Sequence, residues 1–420
     1  MTHNVNGERM DEVHGPTRRA LIRAIAGLLL APTWTVARGA ASGVVPLRAP
    51  QPMAQLHVTS AGELLTVSVA GVLWQYASGR WTQREAQLDP GTPIASGHGR
   101  VAGRSAMGGL WVLEEGRLSM SRGAALAPYA GLLILPFGII GVTQGGDGRA
   151  LVLRLEPGSS TGWAETARSI DPVLPDARPL QVNLDGPRSA DDGHIVVLAG
   201  PDGERYRHGA LGDETEATRM LYLERHGLEP LRSLTLPAPH VFEDLAPRPI
   251  IWRGGTGLLT VRSGPLGAQL AVATASPDRR DALELEALGT PIGTPNRWLA
   301  PTTDGKHLLA VHTPHIGGVL HEYRAQGDQL SSHSVVSDVT NHVLGRRELD
   351  LAAWVGSVLL LPSQDRRQLR RFDPVAGWSE RSRLALPSPV VATRSLRLDG
   401  NPGCVLLLED GTVAWASLAP

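Results

Sequence analysis

The sequence of 420 residues contains only one cysteine, one lysine and three phenylalanines. The single cysteine, Cys404, excludes an intrachain disulfide bond and any metal or haem site that needs several cysteines. It lies in the apolar run Gly403–Leu408, which predicts a buried, unreactive thiol. The formal net charge is only −1, so the chain has no basic field for nucleic acid, and no nucleic-acid partner is expected.

Long hydrophobic runs and sharp catalytic motifs are also missing. No apolar stretch reaches the about 20 residues that a membrane-spanning helix needs, so no membrane span is expected in the mature chain. The serine-hydrolase elbow, the P-loop, the dinucleotide glycine motif and the zinc-protease motif are absent. Long 3.6-residue periodicity is absent as well, which predicts few helices. We therefore expect no cofactor and find no defined reaction in the sequence.

The N-terminus has the parts of an export signal. Arg18 and Arg19 precede a short apolar run from Ala24 to Ala31, and small residues follow around Gly39. This pattern predicts a cleaved Tat-type signal peptide over residues 1–40 and a periplasmic or secreted protein. A Sec signal or an uncleaved cytoplasmic segment are the alternatives. Residues 41–420 are then left as one domain.

A unit made of a turn and three to five apolar residues recurs along the mature chain about every 40 to 60 residues. Blades of a β-propeller repeat at about this period, so the pattern predicts an all-β, single β-propeller. Eight copies predict eight blades, or seven if the first and last copies share one blade. A run around Met53 to Thr59 is expected to supply the closing strand, so that N- and C-terminal strands pair. A two-sheet sandwich is the alternative, but it needs far fewer residues. The copies are Leu64–Val67, Leu110–Leu113, Leu151–Leu153, Ile195–Leu198, Leu258–Val261, Leu308–Val311, Val358–Leu361 and Val405–Leu408.

Four stretches resemble the bacterial exported FG-GAP/VCBS-repeat β-propeller family: His240–Pro249, Gly293–Trp298, His312–Gly318 and Asn341–Asp350. The resemblance covers about residues 180–410 and implies a propeller whose blades open with acidic, calcium-binding turns. This chain keeps only one aspartate in each such turn. Asp147, Asp304 and Asp399 are therefore predicted to be turn formers, with structural calcium as the alternative.

Loops from neighbouring repeats carry more polar chemistry than bare turns require. Loops that join blades converge on one face of a propeller, so these residues are predicted to share a ligand pocket. An arginine there is suited to a carboxylate or phosphate, a tryptophan to a sugar or aromatic ring, and a histidine to metal binding or proton transfer. The alternative is that these side chains pack between blades or fix the loops. No catalytic or metal-binding residue is assigned. The candidate ligand-binding residues are Asn296, Arg297, Trp298, His312, His315, Asn341, His342, Arg347 and Glu348.

A polar insertion at residues 201–217 is a second candidate surface, since long loops on a rigid scaffold often carry recognition. It contains Tyr206, Arg207, His208 and Asp213, and a solvated loop is the alternative. The adjacent pair Glu243-Asp244 looks like an acid–base pair, but neighbours in a strand point to opposite faces. We therefore do not expect the pair to work together in catalysis.

The sequence favours an exported, non-catalytic propeller that binds a ligand or interacts with a protein. Its expected partner is an unknown periplasmic protein or polar ligand, and the chain is expected to be a monomer. The alternative is a periplasmic hydrolase or lyase that acts on a polar polymer, with His315 or His342 as general base in the funnel of the propeller. The fold alone does not separate these functions.

Overall fold

The computed structural model describes residues 43–121, 123, 125–158, 162–186 and 192–418. These residues form β-strands and short 3₁₀ turns, such as those at Gly209–Leu211 and Pro374–Ala376, and no α-helix occurs among them. In the same residues, no helix has the length and apolar character needed to cross a membrane. The predicted signal peptide over residues 1–40 lies outside the described residues and stays a prediction.

Each apolar repeat lies in a middle strand of its own four-stranded antiparallel meander. Runs of consecutive apolar residues suit strands that are covered on both faces. The strand Leu64–Ser68 is buried at every position, whereas the outer strand Arg80–Glu85 is mostly exposed. The all-β propeller prediction is confirmed, and eight meanders in the described residues are consistent with the eight-blade count.

The strands, grouped by meander and numbered as blades 1 to 8, have the following bounds. Blade 1 contains β2 (Met53–Val58), β3 (Leu64–Ser68), β4 (Leu73–Ala77) and β5 (Arg80–Glu85). Blade 2 contains β6 (Ala95–Gly97), β7 (Arg100–Arg104), β8 (Leu110–Glu114) and β9 (Arg117–Met120). Blade 3 contains β10 (Leu133–Leu135), β11 (Gly138–Gln144), β12 (Ala150–Gly158) and β13 (Gly162–Arg168). Blade 4 contains β14 (Leu180–Val182), β15 (His194–Asp202), β16 (Glu216–Leu223) and β17 (Pro230–Thr235). Blade 5 contains β19 (Arg248–Trp252), β20 (Gly255–Ser263), β21 (Gln269–Ala275) and β22 (Leu283–Gly289). Blade 6 contains β23 (Leu299–Thr303), β24 (Leu308–His312), β25 (Val319–Gln326) and β26 (Gln329–Ser337). Blade 7 contains β27 (Ala353–Val355), β28 (Val358–Pro362), β29 (Gln368–Asp373) and β30 (Ser379–Ala385). Blade 8 contains β31 (Val390–Leu398), β32 (Asn401–Leu408), β33 (Val413–Ser417) and β1 (Val44–Pro46). The short strand β18 (Val241–Phe242) lies between blades 4 and 5 and pairs with β16 and β20.

The ring closes through its two ends, as predicted, but with a different N-terminal strand. Val44–Pro46 pairs antiparallel with β33 and completes blade 8, with Val44 opposite Ala416. The run that begins at Met53 is instead the first strand of blade 1. A three-residue edge strand is too short to show an alternating pattern, which is why the sequence pointed to the longer run.

The first strand of each blade lies nearest the axis of the ring. Strands β2 and β31 lie side by side, as do β6 and β10, and β27 and β31. Pairing then proceeds outward in chain order within each blade. The apolar middle strands therefore pack between neighbouring sheets, where Cys404 is fully buried. The predicted burial of this cysteine is confirmed, and burial raises the pKa of its thiol to about 12.

The linkers between blades and the loops between the second and third strands of each blade lie at the same end of the ring, which we call the linker face. In an antiparallel meander, the loop between the second and third strands lies at the end where the chain enters and leaves the blade. Backbone hydrogen bonds join these loops to the linkers between blades: Leu88 N–H donates to Gly71 O (3.0 Å) and Val339 N–H to Gly318 O (3.2 Å). A Cβ atom at Gly318 would lie 1.9 Å from the Val339 oxygen, so this approach requires glycine.

The predicted turn formers behave as expected where the structure shows their contacts. The Asp147 carboxylate accepts a hydrogen bond from the backbone N–H of Arg149 at 3.0 Å. The Asp304 carboxylate accepts from the backbone N–H groups of Lys306 (3.0 Å) and His307 (2.8 Å). These aspartates hold tight turns by bonding to nearby amides.

Candidate functional site

All nine predicted site residues lie on the linker face. Asn296, Arg297 and Trp298 belong to the linker between blades 5 and 6. His312 ends β24, and His315 follows in the loop before β25. The other four lie in the linker between blades 6 and 7, residues 338–352: Asn341, His342, Arg347 and Glu348. The structure brings some of these residues together and leaves others apart.

Trp298, His315 and His342 form one contact group, which we call the aromatic cluster. Trp298 is only 2% exposed, and its indole N–H donates to the backbone oxygen of Glu243 at 3.0 Å. The His315 ring lies parallel to the indole, with 5.9 Å between ring centroids and an angle of 14°. The His342 ring meets the indole edge-on at 4.8 Å. Trp298 therefore packs inside the linker face, where it links two loops.

The two histidines of the aromatic cluster form a directed hydrogen-bond chain. Nε2 of His342 lies 2.7 Å from the backbone oxygen of Arg346, so this nitrogen carries the hydrogen. Nδ1 of His342 then accepts from Nε2 of His315 at 2.9 Å. Burial lowers the pKa of His342 to about 3 and the pKa of His315 to about 4, so both rings are neutral at pH 7. Both nitrogens of His342 are occupied in this arrangement.

His312 contacts a different set of side chains. Its Nε2 lies 2.5 Å from the hydroxyl of Tyr323, and its ring stacks on His321 with 3.7 Å between centroids. Burial lowers the pKa of His312 to about 3. These contacts lie between the second and third strands of blade 6, so His312 is apart from the aromatic cluster.

Asn296 and Arg297 lie at the surface, whereas Asn341 lies in the interior. Asn296 and Arg297 are exposed, and the backbone N–H of Asn296 donates to the Tyr206 hydroxyl at 2.8 Å. Asn341 is buried, and its side-chain amide donates to the backbone oxygen of Ala300 at 2.9 Å. The exposed pair is thus available at the linker face, whereas Asn341 fixes its own linker to β23.

Arg347 lies between two carboxylates that are far from it in sequence. Its Nε donates to Asp176 at 2.6 Å and its Nη2 to Asp213 at 2.5 Å. Its guanidinium carbon lies 4.6 Å from the centre of the Tyr129 ring. Two carboxylates and an aromatic face are the surroundings that a planar guanidinium prefers.

Glu348 and Asp350 contact blade 8, on the side of the ring opposite blade 4. Arg394 on the innermost strand of blade 8 lies 3.3 Å from Glu348 and 3.2 Å from Asp350. The backbone oxygen of Asp350 accepts a hydrogen bond from the Thr393 N–H at 2.9 Å. Because the linker also reaches Asp213 in blade 4, it crosses the centre of the linker face.

Five carboxylates lie beneath this crossing, and we call them the acidic network. The sequence identified Asp213 and the Glu243-Asp244 pair, but not Asp176 or Glu216. Burial among neighbouring negative charges raises the pKa of Glu216 well above its usual range, and burial also raises the pKa values of Glu243 and Asp176. The network consists of Asp176, Asp213, Glu216, Glu243 and Asp244.

Glu243 and Asp244 are fully buried and, as expected, have separate partners. One oxygen of Glu243 lies 2.5 Å from Nδ1 of His208, and the other accepts from the Ser263 hydroxyl. Asp244 accepts from Arg248 at 2.8 Å. The insertion that contains His208 therefore contributes to the interior of the linker face.

The described residues contain no group of three or more histidine, cysteine, aspartate or glutamate side chains with the geometry to hold a metal ion. Four members of the acidic network contact arginine, histidine or hydroxyl donors, and the fifth, Glu216, makes no such contact among the described residues. The chemistry of the network suits recognition of an organic cation.

A separate cleft of about 440 Å³ lies on the opposite face, between blades 4 and 5. Its lining includes Trp252, Arg253, Glu284 and Glu286, and none of the predicted site residues. Arg253 and Glu286 form an ion pair of 2.5 Å across it, so the charges there are matched.

The fold is similar to several solved β-propeller structures. BamB from Moraxella catarrhalis is 14% identical with a TM-score of 0.52, and the alignment covers 90% of this chain and 97% of that one. Sqt1 from Saccharomyces cerevisiae is 11% identical with a TM-score of 0.59, covering 89% and 97%. The computationally designed Ika8 protein is 10% identical with a TM-score of 0.53, covering 88% and 97%. No protein-family model matches the chain, and no curated protein matches it. The likeness shows the β-propeller fold, as the FG-GAP/VCBS resemblance implied, and the family itself stays a prediction.

Proposed function

We propose that the protein is a non-catalytic interaction module whose linker face docks a partner protein. The observation that carries the proposal is where the exposed apolar side chains lie. Seven of the eleven large exposed hydrophobic residues in the described part of the chain belong to linker-face loops. Single exposed apolar residues are ordinary, but their concentration on one face is typical of a binding surface. The seven are Val69, Met107, Tyr129, Ile170, Leu266, Ile316 and Leu344.

The chemistry of the face supports a protein as the occupant. Met107 is 94% exposed and Leu344 is 62% exposed, and both stand at loop tips. Arg297 and Arg346 are exposed on the same face. Methionine, tyrosine and arginine are enriched in protein interfaces, where apolar anchors are surrounded by polar groups.

Charge reversal of surface anchors tests this proposal with a matched control. The double variant Met107→Asp, Leu344→Asp is expected to reduce partner recovery at least tenfold, because each buried apolar side chain contributes about 1.5–3 kcal/mol. Val375→Asp is the control, since Val375 is 91% exposed on the opposite face. The measurement is quantitative affinity capture from an extract of the source cell, followed by mass spectrometry.

The same capture experiment separates the possible outcomes. A protein that is lost with the double variant and kept with Val375→Asp supports docking at the linker face. Equal recovery with all three proteins contradicts the proposal. If the lost species is a second copy of this chain, seen as a dimer mass in light scattering, the face is a self-association surface and the proposal of a separate partner is wrong.

We also propose that the protein is exported by the Tat route and belongs among the exported FG-GAP/VCBS-repeat propellers. The twin arginines and the short apolar run support export, and the quoted stretches support the family. Arg18→Lys with Arg19→Lys is expected to retain the chain in the cytoplasm at its full, uncleaved mass. Cell fractionation with mass spectrometry measures this, and unchanged delivery of the double variant contradicts Tat export.

A further inference from the structure

The linker between blades 6 and 7 contains a segment, residues 343–350, that spans the centre of the linker face. It touches parts of the chain that are far apart around the ring: Ala210 in blade 4, Tyr129 in the linker after blade 2, and Arg394 in blade 8. The backbone contact to blade 4 is a hydrogen bond of 3.0 Å from Gly345 N–H to Ala210 O. A segment with all these contacts covers the axis of the ring.

The anchor of this segment is the side chain of Arg347. Asp176 and Asp213 hold two of its nitrogens, and Tyr129 covers its guanidinium plane. The segment itself has no strand or helix, and its neighbours Leu344 and Arg346 are exposed. The Arg347 side chain thus makes the ion pairs between the segment and blades 3 and 4, and two hydrogen bonds add to them: Arg178 donates to the Arg347 backbone oxygen, and Gly345 N–H donates to Ala210 O.

The pocket around Arg347 has more carboxylates than cations. Arg347 faces both Asp176 and Asp213, and Glu216 adds a third carboxylate nearby. Glu216 is only 2% exposed, its side chain makes no hydrogen bond among the described residues, and Asp213 and Asp176 are among the carboxylates close to it. In its ionised form such a carboxylate is costly to bury, and a cation close to it relieves that cost.

We propose that this pocket, formed by Tyr129, Asp176, Asp213 and Glu216, receives an arginine side chain of the docking partner, and that Arg347 occupies it until displaced. The proposal rests on the proposed function only in assigning the incoming arginine to a partner protein. One guanidinium replaces another, so the pocket keeps its contacts. The partner's arginine then frees the Arg347 side chain, while the contacts of Gly345 and of Arg394 with Glu348 and Asp350 remain.

Occupation by Arg347 has a measurable consequence. An external guanidinium binds only while Arg347 is out of the pocket. Its apparent association constant is therefore the intrinsic one multiplied by the fraction of molecules in which the pocket is empty. Removing Arg347 is therefore expected to tighten binding of an external arginine. Replacing Asp213 as well removes one of the two carboxylates that hold the guanidinium, and this is expected to abolish binding of the external arginine.

Two probes test the pocket without the unknown partner. The first is a fluorescent pentapeptide with one central arginine, matched with the same peptide carrying uncharged, isosteric citrulline. By fluorescence anisotropy, Arg347→Ala is expected to bind the arginine peptide at least fivefold tighter than the wild type. Arg347→Ala with Asp213→Asn is expected to lose binding. Arg80→Ala, which changes an exposed arginine on the opposite face, is expected to match the wild type.

The second probe is ethylguanidinium, matched with ethylurea. It is expected to raise the unfolding temperature of Arg347→Ala by about 2–4 °C, in a saturable way, and to raise that of the wild type less and only at higher concentration. If Arg347→Ala does not fold, Arg347→Gln keeps a hydrogen-bonding side chain and serves in its place.

The outcomes are decisive for the pocket. Equal binding of the arginine and citrulline peptides overturns the proposal, as does equal affinity of wild type and Arg347→Ala. Tight binding to the variant with none to the wild type also overturns it, since Arg347 would then be a fixed part of the structure. Because both probes are synthetic, these results are independent of the capture experiment with Met107 and Leu344.

Discussion

Replacing Trp298 by alanine is expected to lower the free energy of unfolding by about 3–5 kcal/mol. The indole is 2% exposed and belongs to a core shared by blades 5 and 6, with Ile250 and Leu299 among its members. Alanine leaves a cavity there and removes the donor to the backbone oxygen of Glu243. It also removes the surface on which the His315 ring lies.

Two variants serve as controls for this effect, and chemical denaturation followed by circular dichroism measures all three. Trp298→Phe keeps most of the packing and loses the hydrogen bond, so a smaller loss of about 1–3 kcal/mol is expected. Arg297→Ala changes the exposed neighbour and is expected to stay within about 0.5 kcal/mol of the wild type. An unfolding midpoint for Trp298→Ala equal to that of Arg297→Ala would show that the indole does not support the linker face.

This result bears on how binding experiments are interpreted. The sequence suggested that Trp298 stacks on a ligand, and the structure places the indole against His315 and His342 instead. A loss of partner binding in Trp298→Ala therefore reports on the folding of the linker face. The exposed residues Arg297, Met107 and Leu344 are better positions for testing contact with a partner.

The blades were predictable because a strand that is buried on both faces has a run of consecutive apolar residues. Leu308–Val311 and Val405–Leu408 are consecutive apolar residues, and a strand with such a run must lie inside a packed sheet. Each blade supplies one run of this kind, so the count of runs follows the count of meanders. The closing strand, Val44–Pro46, was not predictable because it is short and partly exposed at its edge.

The location of the candidate site was predictable from connectivity, whereas its chemistry was not. The linkers of an antiparallel meander and the loops between its second and third strands must lie on one face, which placed His315, His342 and Arg347 on the same face. The partners of Arg347 were hidden, because Asp176 and Asp213 are 171 and 134 positions away from it in the chain. The local sequence around Arg347 does not identify the distant carboxylates with which its side chain pairs.

Asp176 left a weaker signal that the sequence does contain, whereas Glu216 left none. Asp176 stands among apolar residues, after Val173 and Leu174 and before Ala177, but Glu216 follows Glu214 and Thr215 in the polar insertion. A charge in an apolar setting indicates burial and a partner. Within a polar insertion, however, the same residue is easily taken for part of a solvated loop.

The stability of the protein is expected to fall as the pH is lowered from 7 to 5, and His342 is expected to account for about 2 kcal/mol of the loss. The ordinary pKa of histidine, 6.5, applies to the unfolded chain, whereas burial lowers the pKa of folded His342 to about 3. Below pH 6.5 the unfolded state therefore takes up a proton that the folded state does not. The stabilising contribution is complete above pH 6.5 and is lost as the pH falls toward the folded value.

His342→Gln is expected to make the pH dependence shallower. Glutamine does not titrate, and its amide is suited to donate to the Arg346 oxygen and to accept from His315, as His342 does. The measurement is the free energy of unfolding by urea at several pH values between 5 and 8. A variant with the same slope as the wild type would show that His342 is not a buried neutral histidine.

Glu216→Gln is expected to make the fall in stability on acidification steeper, whereas His342→Gln makes it shallower. Burial and the surrounding carboxylates raise the pKa of folded Glu216 well above that of the unfolded chain. The folded state therefore holds a proton at pH values where the unfolded state has lost it, and stability falls as the pH rises through the folded pKa. Removing the carboxylate is expected to stabilise the protein at pH 8 by about 1–3 kcal/mol and to leave it nearly unchanged below pH 4.5. Acidification from pH 8 should then be more destabilising in Glu216→Gln than in the wild type, and a slope equal to that of the wild type would contradict the buried, donor-free carboxylate on which the arginine pocket depends.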